Sequence, residues 1–314
     1  MKQTILIIGV AGLLGSRLAD WIIENHPECE IIGIDDLSGG YKENIHPKVN
    51  FININLVKDT YFLRSIFEIQ KPDYVFHFAA YAAEGLSPFI RTYNYDNNLR
   101  ATAAVVNECI RHNVKRLVFT STLAVYGYGY GGFFDETQIP KPIDPYGVAK
   151  YACEMDIQIA GEQHGLDWCI IRPHNVYGVK QNIWDKYRNV LGIWMYQHLN
   201  DEPMTIFGDG EQTRDFTYVG TVVNVIIDCI SNKVLHPEPV NLAYGNNVSL
   251  NQVTQLLKYS FPDLKVTHLS SRDGDVLHSK NDPKLVQLLY PNINVEKFET
   301  SLQETINWFK KSNI

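Results

Sequence analysis

Cysteine is scarce in this chain, and the five present (Cys29, Cys109, Cys153, Cys169, Cys229) are far apart, odd in number and without a CxxC pair. Neither a disulfide framework nor a metal site is indicated, and reduced thiols in a cytoplasmic protein are expected. Basic residues are not in excess: 28 Lys and Arg stand against 35 Asp and Glu, for a net charge of −7. Their scatter advertises no nucleic-acid or anionic-membrane surface. Past the N-terminus no apolar run is long enough to span a bilayer, and no repeat or low-complexity segment occurs. The opening "MKQTILIIGVAGLLG" has the lysine and apolar run of a signal peptide, but its glycine spacing suits another use.

What the chain does have is 314 residues, 45% of them apolar, enough for one or two globular domains. Apolar runs of strand length recur at 4–9, 30–35, 49–54, 74–79, 116–121 and 168–173. Helical stretches lie between them, near 13–25, 60–69, 92–112 and 145–164. Continuous apolar strands alternating with helices predict a parallel sheet covered on both faces, a doubly wound α/β (Rossmann) fold. After Pro173 the rhythm fails, apart from a helix-like stretch at 189–199 and a strand-like "PVNLAYG" at 239–245. The division expected is a dinucleotide-binding domain over 1–173, rejoined by 215–245, and a smaller interleaved substrate domain over 174–214 and 246–314.

Gly9, Gly12 and Gly15 fall between the first strand and the first helix. A glycine turn there lets main chain approach a pyrophosphate, whose charge sits on the positive helix end. The next strand ends in Asp35, twenty residues after Gly15. A carboxylate at that place accepts ribose hydroxyls and repels a 2′-phosphate, so NAD is expected over NADP, with Lys42 the reservation.

The stretch "DPYGVAKYACEM" begins with Asp144, a good N-cap, and Pro145, suited to the first helical position. Tyr146 and Lys150 then share one helix face at i, i+4. With 18 tyrosines in the chain, about one such pair arises by chance. Its placement says more, because the preceding strand ends in Thr120, Ser121 and Thr122 at the carboxyl edge of the sheet, where ligands of open α/β sheets bind. A free tyrosine, with a pKa of about 10, is a poor base. A nearby ammonium favours its phenolate, which can then take a proton from a substrate hydroxyl while hydride leaves the same carbon. Thr122 would orient that hydroxyl.

At this point the sequence resembles the extended short-chain dehydrogenase/reductases of the NAD-dependent sugar epimerase/dehydratase kind. The resemblance runs from residue 4 to about 309, through "GVAGLLG", "GIDDLSGG", "HFAA", "YDNNLRAT", "TSTLAVYG", "PYGVAK", "RPHNVYG", "IFGDGEQTRDFTYV" and "RDGD". It implies a tightly held NAD, a catalytic set of Thr122, Tyr146 and Lys150, and a nucleotide-diphosphate sugar as substrate. It also implies a homodimer formed through a four-helix bundle of helices 92–112 and 145–164. Leu13 and Leu14 would lie at the pyrophosphate, with Asp35, Asp36, Ser38 and Gly39 at the adenosine. Asn55 and Leu56 stand where the family has an acid and an apolar residue beside adenine, so the usual acid is absent. Phe78, Ala79, Ala80, Thr120, Tyr146, Lys150 and Pro173 would line the cofactor, with Asn98 bracing the helix behind it. Asn175, Arg214 and Arg272 resemble diphosphate ligands, and Asn189, Val190, Thr205 and Phe207 would hold the base.

Four further positions bear on which member of the family this is. Glu84 stands where a small apolar residue is usual, and is a specificity element, an added base or a solvated loop carboxylate. His174 replaces an aromatic that meets the nicotinamide, or merely packs. Leu123 and Ala124 follow Thr122 where dehydratases carry acids and decarboxylases a glutamate. Neither side chain moves protons, so a 4-epimerase is expected, UDP-sugars being the commonest substrates of such enzymes. A dehydratase or reductase using other groups, and a non-catalytic NAD sensor, are the alternatives.

Overall fold

The computed structural model describes residues 3–185, 189–231, 238–271 and 277–312. Five strands and four helices come first: β1 (Thr4–Ile8), α1 (Leu13–Asn25), β2 (Glu30–Asp35), β3 (Asn50–Asn53), α2 (Thr60–Gln70), β4 (Tyr74–His77), α3 (Arg91–Tyr95), α4 (Ala101–Arg111) and β5 (Arg116–Thr120). After β6 (Phe133–Phe134) come α5 (Pro145–His164), β7 (Trp168–Pro173), β8 (Val176–Tyr177), α6 (Val190–Leu199), β9 (Met204–Phe207), β10 (Thr213–Asp215), β11 (Thr217–Tyr218) and α7 (Val219–Ser231). The chain then runs through β12 (Val240–Leu242), β13 (Asn247–Ser249), α8 (Leu250–Ser260), β14 (Val266–Leu269), β15 (Lys280–Asn281), α9 (Lys284–Leu289) and α10 (Phe298–Lys311).

Seven strands form one parallel sheet in the order β12-β7-β5-β4-β1-β2-β3. The segment at 239–245 does return to it, Val240 pairing with Ile171. Alternate residues of β1 feed two separate cores, Ile5 and Ile7 on one face, Leu6 and Ile8 on the other. Both faces are covered, which is why the strand is apolar throughout rather than alternating. The strand order reverses between β1 and β4, and the crevice outside the carboxyl ends at such a point is where open α/β sheets take ligands. Among the described residues the eight remaining strands pair off in twos outside the main sheet: β6 with β15, β8 with β11, β9 with β14, β10 with β13.

Helix α5 starts as its sequence dictates, with the Asp144 carboxylate accepting from Gly147 N at 2.9 Å and Pro145 at the first position. It ends on Gly165, whose φ of +70° is a left-handed cap that suits glycine. The helix expected over 92–112 is interrupted by a π turn at Asp96–Arg100. Such turns insert an extra residue into a helix and collect at functional sites. This one carries Asn98, whose amide donates to Tyr81 O at 3.3 Å and accepts from Tyr81 N at 3.0 Å.

Candidate active site

A cavity of about 1050 Å³ opens along the carboxyl edge of the sheet. Its floor is main chain. Gly9 follows β1 with φ +91°, and a Cβ there would meet Ala79 N at 2.6 Å, because Phe78 N and Ala79 N both bond Ile8 O across the strand reversal. A Cβ on Gly15 would run into the Gly9 carbonyl, so that glycine serves the packing of α1 on the loop. Gly12 differs. It lines the cavity, and a Cβ on it would touch nothing of the protein closer than Gly9 O at 3.4 Å. The space its missing side chain leaves is therefore open to a ligand. Gly12 is also the N-cap of α1, with no side-chain cap and no acid in the first turn, so the positive helix end faces the cavity unshielded. Leu13 and Leu14 continue that wall.

At the end of β2 the Asp35 carboxylate accepts from Ala11 N at 3.0 Å and Leu37 N at 2.8 Å. Burial nevertheless pushes its pKa up, those two N–H groups opposing the shift. Asp36 accepts from Ser38 N at 2.9 Å and from Asn55 Nδ2 at 2.6 Å. Asn55 thus stands in place of an acid by bonding to one, and its own Oδ1 accepts from Val57 N and Lys58 N, which turns the chain after β3. Ser38, Gly39, Leu56, Phe78, Ala79 and Ala80 share this part of the wall, and Lys42 is not on it.

Farther along, Thr120, Thr122, Tyr146, Lys150 and Pro173 line one stretch of the cavity. Lys150 is 2% exposed, and its Nζ donates to Thr120 O at 2.8 Å and lies 4.5 Å from the Phe119 ring centre. Burial lowers its pKa to about 8, opposed by Cys153 and Glu154. Thr122 Oγ1 accepts from Ala124 N at 3.2 Å, which leaves the hydroxyl proton for another acceptor. Leu123 is buried with Val125, Tyr126 and Phe134 instead of facing the cavity.

The outer wall is made of side chains: Glu84, Asn175, Asn189, Val190, Thr205, Phe207 and Arg214. Asn175 holds φ at +26°, a left-handed value that asparagine tolerates better than most residues. Asn189 caps α6, accepting from Gly192 N and donating to Val176 O, each at 2.9 Å. Arg214 Nη1 donates to Thr213 O at 2.9 Å. Arg272 lies outside the described residues.

A dinucleotide fits this floor: bare glycine main chain, an unshielded helix end and a fixed carboxylate at the second strand. The sequence profile of the NAD dependent epimerase/dehydratase family matches residues 5–243. This chain belongs to that family. It is 31% identical to a putative UDP-glucose 4-epimerase of Methanocaldococcus jannaschii over 98% of this chain and 99% of that one. It also resembles the crystal structure of a Thermotoga maritima UDP-glucose 4-epimerase with UDP-glucose: 32% identity, TM-score 0.89, 98% of this chain and 99% of that chain covered. A Methanobrevibacter ruminantium UDP-N-acetylglucosamine 4-epimerase in complex with UDP-N-acetylmuramic acid matches at 30% identity, TM-score 0.88 and 99% of each chain.

Three residues expected at the cofactor of this epimerase/dehydratase-family protein do not reach the cavity. His174 is 2% exposed, set edge-on to Phe134 at 5.8 Å, and its neighbours Pro173 and Asn175 face the cavity in its place. Burial drops its pKa to about 3, so it is a neutral packing residue. Asn98 braces the loop at Tyr81 from behind, and Gly15 lies under the glycine turn.

Two groupings escaped the sequence reading. Arg172 grips Glu154 through Nε–Oε1 at 2.8 Å and Nη2–Oε2 at 2.6 Å, and donates to Tyr126 OH at 2.5 Å. This buried pair ties α5 to β7 and to the turn behind Thr122; an arginine in an apolar strand was its signal. In the second, Tyr41 OH donates to Asn182 Oδ1 at 2.8 Å and Asn182 Nδ2 to Gly39 O at 3.0 Å. Asn44 Nδ2 bonds both Ala11 O and Lys180 O at 3.1 Å. The bonds to Lys180 and Asn182 join segments more than a hundred residues apart in sequence, so no local pattern announces them.

Proposed function

We propose that the protein is a nucleotide-sugar 4-epimerase that uses NAD and acts on UDP-sugars. The observation that carries this is the convergence of Thr122, Tyr146 and Lys150 on one cavity wall that has no acid at the two positions after Thr122. When bound, NAD supplies the acceptor that takes hydride from C4 of the sugar and returns it to the other face. Tyr146 takes the C4 hydroxyl proton and later gives it back, and Thr122 donates to and orients that oxygen. Lys150, anchored on Thr120 O, remains mostly cationic at neutral pH with its pKa near 8, and its charge favours the Tyr146 phenolate. A volume of about 1050 Å³ leaves room for the keto sugar to turn.

In this reading Gly9, Gly12, Leu13, Leu14, Asp35 and Asp36 hold the dinucleotide, Asn175 and Arg214 the substrate diphosphate, and Val190, Thr205 and Phe207 the base. Residues 1–173 with 215–245 form the dinucleotide domain, and 174–214 with 246–314 the substrate domain. Two copies pair through α3, α4 and α5. Val148, Met155 and Ile159 support this, forming an apolar stripe on α5 that is 41, 42 and 47% exposed in the single chain. Five free cysteines fit a reducing cytoplasm.

The test is to incubate the purified protein with UDP-, GDP- and dTDP-hexoses, without added cofactor, and follow the sugars by NMR. Interconversion of a pair of 4-epimers is expected. A stable 4-keto-6-deoxy product, or no change in any sugar, overturns the proposal.

A further inference from the structure

Glu84 faces the cavity from the loop after β4, and the structure explains how that loop is registered against Tyr146. Ser87 Oγ donates to Glu84 O at 2.8 Å and accepts from Tyr146 N at 3.2 Å. One serine hydroxyl thus spaces the Glu84 main chain from the first turn of α5. Asp144, which caps that turn, sits close enough to Ser87 for a 3.4 Å contact. Position 84 is therefore tied through Ser87 to the first turn of α5, which carries Tyr146.

The carboxylate at this place differs from its acidic neighbours. Among the described residues no side chain or main-chain N–H donates to it, although Asp35, Asp36 and Asp144 all have their donors. In the single chain it is exposed, and the cavity wall lies around it. Enclosure pushes its pKa up to about 7, the Asp144 charge adds to the rise, and Arg214 opposes it more weakly. A carboxylate on the cavity wall with no protein donor is free to accept hydrogen bonds from a ligand there.

We propose that Glu84 sets sugar specificity: its carboxylate accepts hydrogen bonds from hydroxyls of a neutral hexose and turns away hexuronates. The inference rests on the cavity being a nucleotide-sugar site and narrows the sugar class. Hydroxyls, or the N–H of an acylated amino sugar, are donors of the right kind. A sugar carboxylate brings none and, above the Glu84 pKa, adds a further negative charge beside Glu84 and Asp144. Like charges brought together in this way are among the stronger means of rejecting a wrong partner. Arg214 does not rescue the anion, because its guanidinium is committed to the diphosphate in the same reading.

The experiment compares a UDP-hexose with the matching UDP-hexuronate, using the holoenzyme at a pH about one unit above the Glu84 value, where it is ionised. Turnover is read as kcat/KM, and binding of each ligand and of UDP alone by calorimetry, in the wild type, Glu84→Gln and Glu84→Ala. Retained dinucleotide content certifies that the variants are folded. The wild type should favour the hexose by more than about 100-fold. Glu84→Gln keeps the shape and one acceptor but removes the charge, and should cut that ratio about tenfold or more, mainly by gain on the hexuronate. Glu84→Ala should weaken the hexose about tenfold or more, the loss expected for a hydrogen bond to a charged group. A wild type that takes both sugars equally, or a ratio unchanged in Glu84→Gln, overturns the inference and leaves the epimerase reading standing. Selective binding that depends on Glu84 without turnover does the reverse. A 4-keto-6-deoxy product lost in Glu84→Gln would make the residue a proton donor and overturn both.

Discussion

Around the glycine loop the cavity wall is mostly main chain, formed where long parallel strands end within the first eighty residues. Around Asn175, Thr205, Phe207 and Arg214 it is side chains, carried on strands of two to four residues that pair outside the main sheet. A wall of main chain recognises what all dinucleotides share, a pyrophosphate and a ribose, and tolerates no added atoms. A wall of side chains is free to vary with the sugar and base. Between the two lie Thr122, Tyr146 and Lys150, where the bound partners meet. The two sides can therefore be broken separately, and the chemistry between them broken without disturbing either.

The largest effect belongs to the junction. Tyr146→Phe removes one oxygen from a side chain that is 6% exposed. With the proton acceptor gone, turnover should fall by about 10²- to 10⁴-fold, the contribution typical of a positioned acid–base group, or about 3–5 kcal/mol of barrier. Dinucleotide content and UDP-sugar affinity should stay within about twofold, since neither wall is touched. Steady-state kinetics with cofactor release by heat measures both. Activity kept near the wild-type level would show that another group moves the proton.

Next comes a pair of substitutions within the glycine loop. In Gly15→Ala the new Cβ strikes the Gly9 carbonyl, so the apo protein should lose about 1–3 kcal/mol of stability as the loop is overpacked. The ~1 kcal/mol by which alanine favours a helix interior is too small to offset a main-chain clash. In Gly12→Ala the Cβ points into open cavity. Loss of a favourable N-cap and gain from a stiffer unfolded chain oppose each other, and apo stability should stay within about 0.5 kcal/mol. Dinucleotide retention should nevertheless fall in Gly12→Ala, because the added methyl takes up ligand space. Urea unfolding of the apo forms and the dinucleotide content of the purified proteins separate the two. Equal stability losses would remove the distinction between a packing glycine and a cradle glycine.

That distinction also marks how much was legible in sequence. The helix at 13–25 begins just after Gly12, and the helix at 145–164 begins and ends where Asp144, Pro145 and Gly165 place it, because caps are local signals. Periodicity shows a strand–loop–helix unit with its glycines, but not which glycine faces protein and which faces ligand; Gly12 and Gly15 differ only by the direction of a missing Cβ. His174 fails for a related reason. His174 lies in the irregular turn between β7 and β8, where no periodicity tells that Pro173 and Asn175 face the cavity and the histidine the interior. The Arg172–Glu154 pair and the bonds from Tyr41 and Asn44 to 180–182 join distant segments, and only folded coordinates reveal such partners.

The smallest effect tests the side-chain wall by way of a cap. Ser249 Oγ accepts from Gln252 N at 3.2 Å while Gln252 Oε1 accepts from Ser249 N at 2.8 Å, a reciprocal box at the head of α8. The same serine ends β13, which pairs antiparallel with β10 so that Ser249 lies opposite Thr213 and Val248 opposite Arg214. Ser249→Ala removes half the box and should cost about 1 kcal/mol. Fraying there loosens the strand that registers Arg214, not the one that holds Gly9, so KM for the UDP-sugar should rise a few-fold while kcat and dinucleotide content stay near wild type. Thermal unfolding and steady-state kinetics give both numbers. If dinucleotide is lost in step with the rise in KM, then the two walls are one mechanical unit, and the substrate side owes its placement to the main sheet rather than to its own short strands.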